Sequence, residues 1–167
     1  MKKALFIGRF QPFHLGHLSD VKLALKDFDE VIIAIGSSQE SGTSDNPFSY
    51  EERKEMIEKT LRARKIVDYE IIPVPDINDD ERWVDHVKKV VGDFDMVYTG
   101  NDFTEGLFKK ESMKVRGVKF IQGINATEIR KRMVEGNDWK KLVPKEVAEY
   151  VKKIEGVERV KGINGPF

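Results

Sequence analysis

The chain has 167 residues, of which 40% are hydrophobic and 35% are charged, as is typical of a folded protein rather than a disordered one. Its 29 basic residues balance 29 acidic ones, which disfavours a nucleic-acid binder that works by neutralising phosphates. The sequence contains no cysteine, which excludes disulfides, thiolate zinc sites and cysteine nucleophiles.

The N-terminal apolar run is too short for a secretory signal. It covers Ala4–Ile7 and stops at Gly8, whereas a signal core needs ~7–15 apolar residues. No other stretch approaches the ~18 consecutive apolar residues of a membrane helix. We therefore expect a cytoplasmic protein without membrane contact.

Short apolar runs alternate with longer segments of helical period. The predicted strands are Ala4–Ile7, Val31–Ile35, Glu70–Val74, Met96–Thr99 and Val118–Ile121. The predicted helices are Leu15–Lys26, a helix opened by the capping-box pair Ser49 and Glu52, Asp80–Val91, Asp102–Lys110, a helix from a cap at Asn125 through Met133, and Lys145–Ile154. This alternation predicts an α/β fold with a doubly wound parallel sheet, in one domain over residues 1–167 with a loosely packed tail over about 157–167.

Ligands of such sheets bind at the carboxyl edge, near the point where the strand order reverses. We therefore expect the functional residues in the loops that follow the strands. These loops are Gly8–His17, Gly36–Phe48, Pro75–Trp83 and Gly100–Asp102.

The first of these loops has the parts of an anion site, although it matches neither the dinucleotide fingerprint nor the P-loop. It opens a helix, whose N-terminus offers free N–H groups. His14 and His17 are three apart, on one face of the first turn, and can donate hydrogen bonds to phosphate. Gly16 allows close approach to the backbone, and Arg9 can fork onto phosphate. The alternatives are a capping histidine with a core histidine, or a metal pair that has no third ligand nearby.

A second helix N-terminus resembles the first in chemistry. Thr127 and Arg130 are three apart on the helix capped by Asn125, an arrangement suited to the distal phosphates of a nucleotide. Beside Lys131 and Arg132, the alternative for Arg130 is a solvated helix charge.

Other residues carry weaker signals. Trp83 is either a core residue or a stacking surface for an aromatic ligand. Asp76 either contacts a ligand or caps the next segment, and His86 is expected to be structural. Gly100 and Asn101 could hold an adenine ring against bare backbone, and the polar segment Ser37–Asn46 is a candidate lid.

The motif G-R-F-Q-P-F-H-x-G-H resembles the signature of the HxGH nucleotidyltransferase superfamily. Within it, the chain is most similar to archaeal-type nicotinamide mononucleotide (NMN) adenylyltransferases, over nearly its whole length. The other matching segments are Gly36-Ser37-Ser38-Gln39, Asn46-Pro47-Phe48 with Glu52-Arg53, Pro75-Asp76-Ile77 with Trp83-Val84, Tyr98-Thr99-Gly100-Asn101, Thr127-Glu128-Ile129-Arg130, Leu142-Val143-Pro144 and Gly156-Val157-Glu158-Arg159.

The resemblance implies a Rossmann-like fold and a set of site residues. It implies ATP binding by Gly8, Arg9, Phe10, His14, Gly16, His17, Gly100, Asn101, Asn125, Thr127 and Arg130, with catalytic roles for Arg9, His14, His17 and Arg130. It implies binding of the acceptor by Ser37, Ser38, Asp76 and Trp83, the last by stacking on the pyridine ring. It further implies Mg²⁺ held through the phosphates without protein ligands, and a homo-oligomer, for which a hexamer is one form.

Two positions depart from the family pattern. Asn125 stands where the family has a serine; asparagine can also cap the helix and donate a hydrogen bond, but it does not supply the hydroxyl contact to phosphate. Asp45 stands where some relatives have a basic residue, so a phosphate contact from that position is not expected.

The predicted activity is transfer of AMP from ATP to NMN, giving NAD and pyrophosphate by in-line attack at the α-phosphorus. The same chemistry on nicotinate mononucleotide, phosphopantetheine or an alcohol phosphate with CTP remains open. Two other classes are a nucleotide-binding regulatory module and an RNA-binding or tRNA-charging protein. The intact His14, His17 and Arg130 disfavour the first, and the lack of basic excess disfavours the second.

Overall fold

The computed structural model describes residues 1–118, 121 and 123–164. Its strands are β1 Lys3–Gly8, β2 Glu30–Gly36, β3 Tyr69–Val74, β4 Met96–Thr99 and β5 Val115–Gly117. Its α-helices are α1 Leu15–Asp27, α2 Tyr50–Ala63, α3 Asp80–Val91, α4 Asp102–Lys110, α5 Ala126–Glu135, α6 Lys145–Lys153 and α7 Gly156–Asn164, and a 3-10 turn covers Lys140–Leu142.

The described residues form two compact units. Unit 1 contains Met1–Arg9, Ser19–Ser38 and the described part of Asp68–Lys119. Unit 2 contains Phe10–Leu18, Gln39–Val67 and the described part of Phe120–Phe167. Each unit is assembled from three separate stretches of the chain, so no single linker divides them.

Unit 1 is built on a parallel five-stranded sheet in the order β3-β2-β1-β4-β5. β1 lies in the middle, where Leu5 is in register with Ile32 of β2 and with Val97 of β4. The strand order reverses between β1 and β4, which confirms the predicted doubly wound α/β fold. The carboxyl ends of all five strands therefore meet at one edge of the sheet.

The core of unit 1 lies between the sheet and helices α3 and α4. Val84, Val87 and Val91 recur on one face of α3 and are buried together with Leu5 and Phe108. This spacing of three and four residues is the apolar face of a helix that packs on a sheet. α3 and α4 therefore fix the segments at their N-termini relative to β3 and β4.

Unit 2 is helical. α2 packs against α6, and α7 packs against α5 and α6. The predicted capping box of α2 is confirmed, because Glu52 N–H donates to Ser49 Oγ at 3.2 Å and Ser49 N–H donates to Glu52 Oε1 at 2.9 Å. The predicted cap of α5 is confirmed as well, since Asn125 Oδ1 accepts from Glu128 N–H at 2.8 Å.

The predicted fifth strand, Val118–Ile121, is displaced. β5 is Val115–Gly117, and it pairs with β4 through Val97–Val115 and Thr99–Gly117. Val118 and Ile121 are not in a strand, and residues 119 and 120 lie outside the described residues. β5 is an edge strand with one neighbour, so it does not need the continuous apolar run that marks a buried strand.

The expectation of a loosely packed tail is wrong for residues 157–164, which belong to α7. Val160 is fully buried, and Arg159 pairs with Glu52 and donates to the carbonyl of Pro47. A Cβ at Gly156 would lie 2.8 Å from Val151 Cγ1, so this glycine permits close packing rather than ending the fold. Residues 165–167 lie outside the described part of the chain.

Within the described ranges, no helix is both long and apolar enough to cross a membrane.

Candidate active site

The HxGH segment is held in unit 2 by two buried phenylalanines. Phe10 and Phe13 are buried, and both rings contact the imidazole of His17, with centroids 4.7 and 5.5 Å away respectively. Phe10 meets the imidazole edge to face, whereas Phe13 stacks on it. These contacts exclude water from one side of His17 and fix its ring plane.

His14 and His17 hold each other through reciprocal hydrogen bonds at the start of α1. His14 N–H donates to Nδ1 of His17 at 3.1 Å, and His17 N–H donates to Nδ1 of His14 at 3.3 Å. The imidazoles stack with centroids 3.5 Å apart and an interplanar angle of 17°. His14 precedes the first helical residue, so the pair has the geometry of a capping box made from two histidines. It satisfies main-chain N–H groups that the helix leaves without partners.

This geometry determines the tautomer of both rings. Because each Nδ1 accepts a hydrogen bond, each ring carries its proton on Nε2. Burial lowers the pKa of His14 to about 4. Burial, followed by the neighbouring His14 charge, lowers the pKa of His17 well below its usual value. Without a ligand, both rings are therefore uncharged at neutral pH, and each offers one Nε2–H donor.

Gly16 makes room for the His14 ring. A Cβ at this position would lie 2.9 Å from Cε1 and 3.0 Å from Nδ1 of His14. Real side chains do not approach so closely, so any other residue would push the imidazole away. This adds to the predicted role of Gly16 in close approach of a ligand, which stays a prediction.

Gln11 connects the HxGH segment to the rest of unit 2. Its buried side chain donates from Nε2 to the carbonyl of Phe48 and accepts at Oε1 from the N–H of Phe48, both at 2.9 Å. Its main-chain oxygen accepts from Nη1 of Arg130 at 2.8 Å. Arg130, from α5, is thereby brought to the segment that carries His14 and His17.

A cavity of about 340 Å³ adjoins the start of α5. Thr127, Arg130 and Lys131 line it, together with Asp45 from the predicted lid segment. Two of the predicted phosphate-binding residues thus share a cavity with an acidic residue at the position where some relatives are basic. Asn125 does not line it, and its side-chain oxygen caps α5.

In unit 1, the ends of β2 and β3 are joined by a side-chain hydrogen bond. Ser37 Oγ donates to Asp76 Oδ2 at 2.7 Å, and Ser38 N–H reaches the carbonyl of Val74 at 3.4 Å. These contacts agree with the expectation that the loops after the strands meet at one edge. Two predicted acceptor-binding residues, Ser37 and Asp76, therefore form one group.

A cavity of about 200 Å³ lies beside Asp76 in the same unit. Trp83 at the start of α3 and Phe103 at the start of α4 form its aromatic walls, and Asp79 and Asp80 also line it. Trp83 is half-buried, and its ring meets Phe108 edge to face at 5.6 Å. It therefore packs on the core, as the first interpretation of this tryptophan expects, and also lines the cavity, while its stacking on a ligand stays a prediction. We name this cavity, with Asp76, Asp79, Asp80, Trp83 and Phe103, the aromatic pocket.

The remaining predicted ATP-binding residues lie in unit 1. Gly8 ends β1, Arg9 follows it and is exposed, and Gly100 and Asn101 follow β4. Asn101 Oδ1 accepts from Thr104 N–H at 2.9 Å and so caps α4. None of these four residues lines the aromatic pocket.

Sequence reasoning missed three kinds of residue. Gln11 is a polar residue in an otherwise aromatic segment, which could have marked it as a buried bridge. Asp79, Asp80 and Phe103 were passed over because their shared cavity depends on tertiary contact. Asp20 is only 5% exposed, and burial raises its pKa to about 7. The expected structural role of His86 agrees with its Nε2–H, which donates to the carbonyl of Pro75 at 2.9 Å.

The described residues contain no group of three or more histidines, aspartates or glutamates arranged to hold a metal ion. His14 and His17 each use Nδ1 within the chain, which disfavours the alternative of a histidine metal pair through those atoms.

Comparison with known proteins gives concordant matches. A family model described as cytidylyltransferase-like matches residues 5–135. Nicotinamide-nucleotide adenylyltransferase of Pyrococcus furiosus is 46% identical over 166 residues, covering 96% of this chain and 88% of that relative. The enzyme of the same name from Archaeoglobus fulgidus is 45% identical over 170 residues, covering 98% of each chain.

The comparison with solved structures agrees with these sequence matches. Two structures of a bifunctional NMN adenylyltransferase/ADP ribose pyrophosphatase from Francisella tularensis are each 28% identical to this chain. One, complexed with AMP and a manganese ion, has a TM-score of 0.78 over 97% of this chain. The other has a TM-score of 0.84 over 98%. The chain spans about half the length of the chains in these two structures, 51% and 53% respectively. With the family model over most of its length and close relatives over nearly all of it, the chain belongs to the nicotinamide-nucleotide adenylyltransferase family.

Proposed function

We propose that the chain transfers the adenylyl group of ATP to NMN, giving NAD and pyrophosphate. Family membership supports this reaction. The structural observation that carries it is the reciprocal capping of His14 and His17, which leaves two Nε2–H donors at the N-terminus of α1. Neutral, fixed donors at a helix N-terminus are suited to charge that develops on phosphate oxygens.

The chemistry is a direct displacement at the α-phosphorus. An oxygen of the 5′-phosphate of NMN attacks, a new phosphoanhydride bond forms, and the bond to the bridging oxygen of the β-phosphate breaks. That oxygen leaves with pyrophosphate. No side-chain nucleophile is needed, because such transfers depend on positioning and charge stabilisation.

His14 and His17 act as the donors in this step. Their Nε2–H groups hydrogen-bond the α-phosphate and the leaving bridging oxygen. The approach of a polyanion raises the pKa of both imidazoles, because it stabilises their charged form. The pair thus gains positive character only when the phosphates are bound.

Arg9 and Arg130 hold the departing pyrophosphate. A guanidinium binds phosphate oxygens through two parallel N–H groups, and Arg130 is oriented in advance by the Gln11 carbonyl. Thr127 and Asn125 support the same phosphates from the start of α5. The Oδ1 atom of Asn125 is engaged as the cap, so its contribution comes from Nδ2.

Gly8, Phe10 and Gly16 belong to the segment that binds ATP, and Gly100 and Asn101 hold its adenine ring against the backbone. Trp83 stacks on the pyridine ring of the acceptor in the aromatic pocket, and Ser37, Ser38 and Asp76 contact the rest of the mononucleotide. A cavity of about 200 Å³ suits a single aromatic ring, since a cavity of about 150 Å³ holds benzene.

A divalent cation accompanies ATP, and we propose Mg²⁺. A hard cation of this kind takes its ligands from phosphates and water and needs few protein ligands. Bound in this way, Mg²⁺ would neutralise charge on the departing pyrophosphate. The homo-oligomer, in hexameric or other form, and the cytoplasmic location stay predictions.

The test is to incubate the purified chain with ATP, Mg²⁺ and NMN, and to measure NAD and pyrophosphate. Equal amounts of the two products support the proposal. Pyrophosphate with phosphopantetheine but not with NMN would instead support the same chemistry on another acceptor. ATP binding without pyrophosphate from any acceptor would indicate a regulatory module and contradict the proposal.

A further inference from the structure

The aromatic pocket presents an unusual combination of apolar and acidic surface. Phe103 is 61% exposed and Ile77 is 37% exposed, and both line the cavity beside Trp83. Large apolar side chains left in contact with water around a cavity indicate a surface that an apolar ligand covers. Trp83 and Phe103 supply aromatic surface to the cavity lining, on which an aromatic ring can pack.

The polar lining of this pocket carries charge of one sign. Asp76, Asp79 and Asp80 all line it, and none of its lining residues is a lysine, arginine or histidine. Arg82 is the nearest cation in sequence, and its ion pair with Asp79, at 3.6 Å, involves a guanidinium side chain that is 83% exposed. Such a solvated pair does little to offset the acidic lining.

The three carboxylates differ in the hydrogen bonds that they already accept. Asp76 accepts from Ser37 Oγ, and Asp79 accepts from Arg82 N–H as the cap of α3. The side chain of Asp80, at the first position of α3, makes no hydrogen bond or ion pair with any described residue. Its carboxylate is therefore the one most available to a ligand.

We propose that the acidic lining makes the aromatic pocket select a ring that carries a neutral carboxamide over a ring that carries a carboxylate, with Asp80 as the specificity-determining residue. This inference rests on the proposed function and goes beyond it, because both rings would serve the same chemistry. A carboxamide N–H donates to a carboxylate in a charge-assisted hydrogen bond. A ring carboxylate has no proton to donate and meets like charge, with no cation in the lining to compensate it.

Solvent limits the size of this effect. Asp76 and Asp80 are exposed before a ligand binds, so salt screens part of the repulsion. Stacking of the ring expels water and strengthens the part of the repulsion that salt does not screen. A charge-assisted hydrogen bond gained with one acceptor and lost with the other corresponds to a preference of about tenfold or more.

The experiment compares kcat/KM for NMN and for nicotinate mononucleotide, with ATP and Mg²⁺ saturating. The wild-type chain is expected to prefer NMN by about tenfold or more. Asp80→Asn keeps the size of the side chain and removes its charge, and it should narrow the preference by about tenfold, mainly by improving use of the carboxylate acceptor. Asp85→Asn is the matched control, because Asp85 is exposed on the same helix and does not line the pocket.

The outcomes separate this inference from the proposed function. Equal use of the two acceptors by the wild-type chain, or preference for the carboxylate, would overturn the inference and leave adenylyl transfer intact. A preference for NMN that Asp80→Asn changes no more than Asp85→Asn would also overturn it. If neither acceptor gave a dinucleotide and pyrophosphate, the proposed function itself would fail. A preference that weakens with added salt would support the electrostatic origin.

Discussion

The guanidinium of Arg130 donates from Nη1 to the main-chain oxygen of Gln11 at 2.8 Å. Gln11 is in turn fixed by two hydrogen bonds to the main chain of Phe48. Arg130 is therefore oriented before any ligand arrives, which reduces the entropy lost when it binds phosphate.

Arg130→Lys should lower kcat/KM for ATP by about ten- to a hundredfold, because lysine keeps the charge but not the planar fork. Steady-state kinetics with ATP varied at saturating NMN measure this. Arg62→Lys, at an exposed position of α2, is the control and should leave the kinetics unchanged. Unaltered kcat/KM in Arg130→Lys would show that the fork is not used.

The two functions of His17 can be separated by substitution. Asparagine can replace Nδ1 as the acceptor for His14 N–H, but it does not reach the position of Nε2. His17→Asn should therefore keep the helix cap, lose some stability with the ring contacts to Phe10 and Phe13, and lose about 10²–10³ in kcat, as when one donor to a developing charge is removed. His17→Gln should retain more turnover and less stability. Parallel measurements of kcat and melting temperature test this, and full turnover in His17→Asn would refute the role of Nε2–H.

Gly16→Ala should inactivate without unfolding. The new Cβ would meet Cε1 of His14 at 2.9 Å, so the imidazole has to move, which gives up its stacking on His17 and the hydrogen bond from His17 N–H and lowers the melting temperature. Turnover then falls because the donor has moved. Gly106→Ala in α4 is the control, since a Cβ there meets nothing within 4 Å, and alanine should stabilise this helix by about 0.5–1 kcal/mol. Equal activity of the two variants would contradict the packing argument.

The lowered pKa of His14 predicts loss of stability in acid. The usual value is 6.5, whereas folded His14 takes up its proton only near pH 4. Between these values the unfolded chain binds more protons, so the free energy of unfolding falls as the pH falls, by about 3 kcal/mol for His14. The lowered pKa of His17 adds a loss of the same sign as the pH falls. Urea denaturation from pH 4 to 7 should show that the free energy of unfolding depends less steeply on pH in His14→Asn than in the wild-type chain. Identical slopes of this free energy against pH would contradict the assignment.

Asp20 has the opposite effect on the pH dependence of stability, over much of the same pH range. Burial raises its pKa from 3.8 to about 7, so between these values the folded chain holds a proton that the unfolded chain has lost. Its contribution to stability therefore declines as the pH rises to about 7. Asp20→Asn should be more stable than the wild-type chain at pH 8, by up to about 4 kcal/mol, and similar to it near pH 4. Asp85→Asn is the exposed control. No gain from Asp20→Asn at pH 8 would show that the burial of Asp20 is not costly.

Local sequence signals predicted much of this fold. The apolar runs of β1, β2 and β4 and the caps Ser49 and Asn125 need only near neighbours in the chain to form, so their positions agree with the structure. The first loop was identified as a site because a strand end, a helix start and two histidines coincide there.

The features that were missed depend on tertiary contacts. β5 is defined by its pairing with β4 rather than by its own hydrophobicity, and α7 forms because Val160 is buried in unit 2. The predicted roles of His14 and His17 did not include their tautomers, which follow from hydrogen bonds that only coordinates reveal. The acidic residues of the aromatic pocket are close in sequence, but only tertiary contact brings Phe103 of α4 beside Trp83 of α3 and so encloses the cavity.

The most direct test of adenylyl transfer follows the phosphates of ATP. ATP labelled in the α-phosphate and ATP labelled in the γ-phosphate are each incubated with the chain, NMN and Mg²⁺, and the products are separated. In-line attack at the α-phosphorus predicts that the α label enters the dinucleotide and the γ label leaves in pyrophosphate. Transfer of the γ label to the acceptor, or release of the α label as free AMP, would contradict the proposed function.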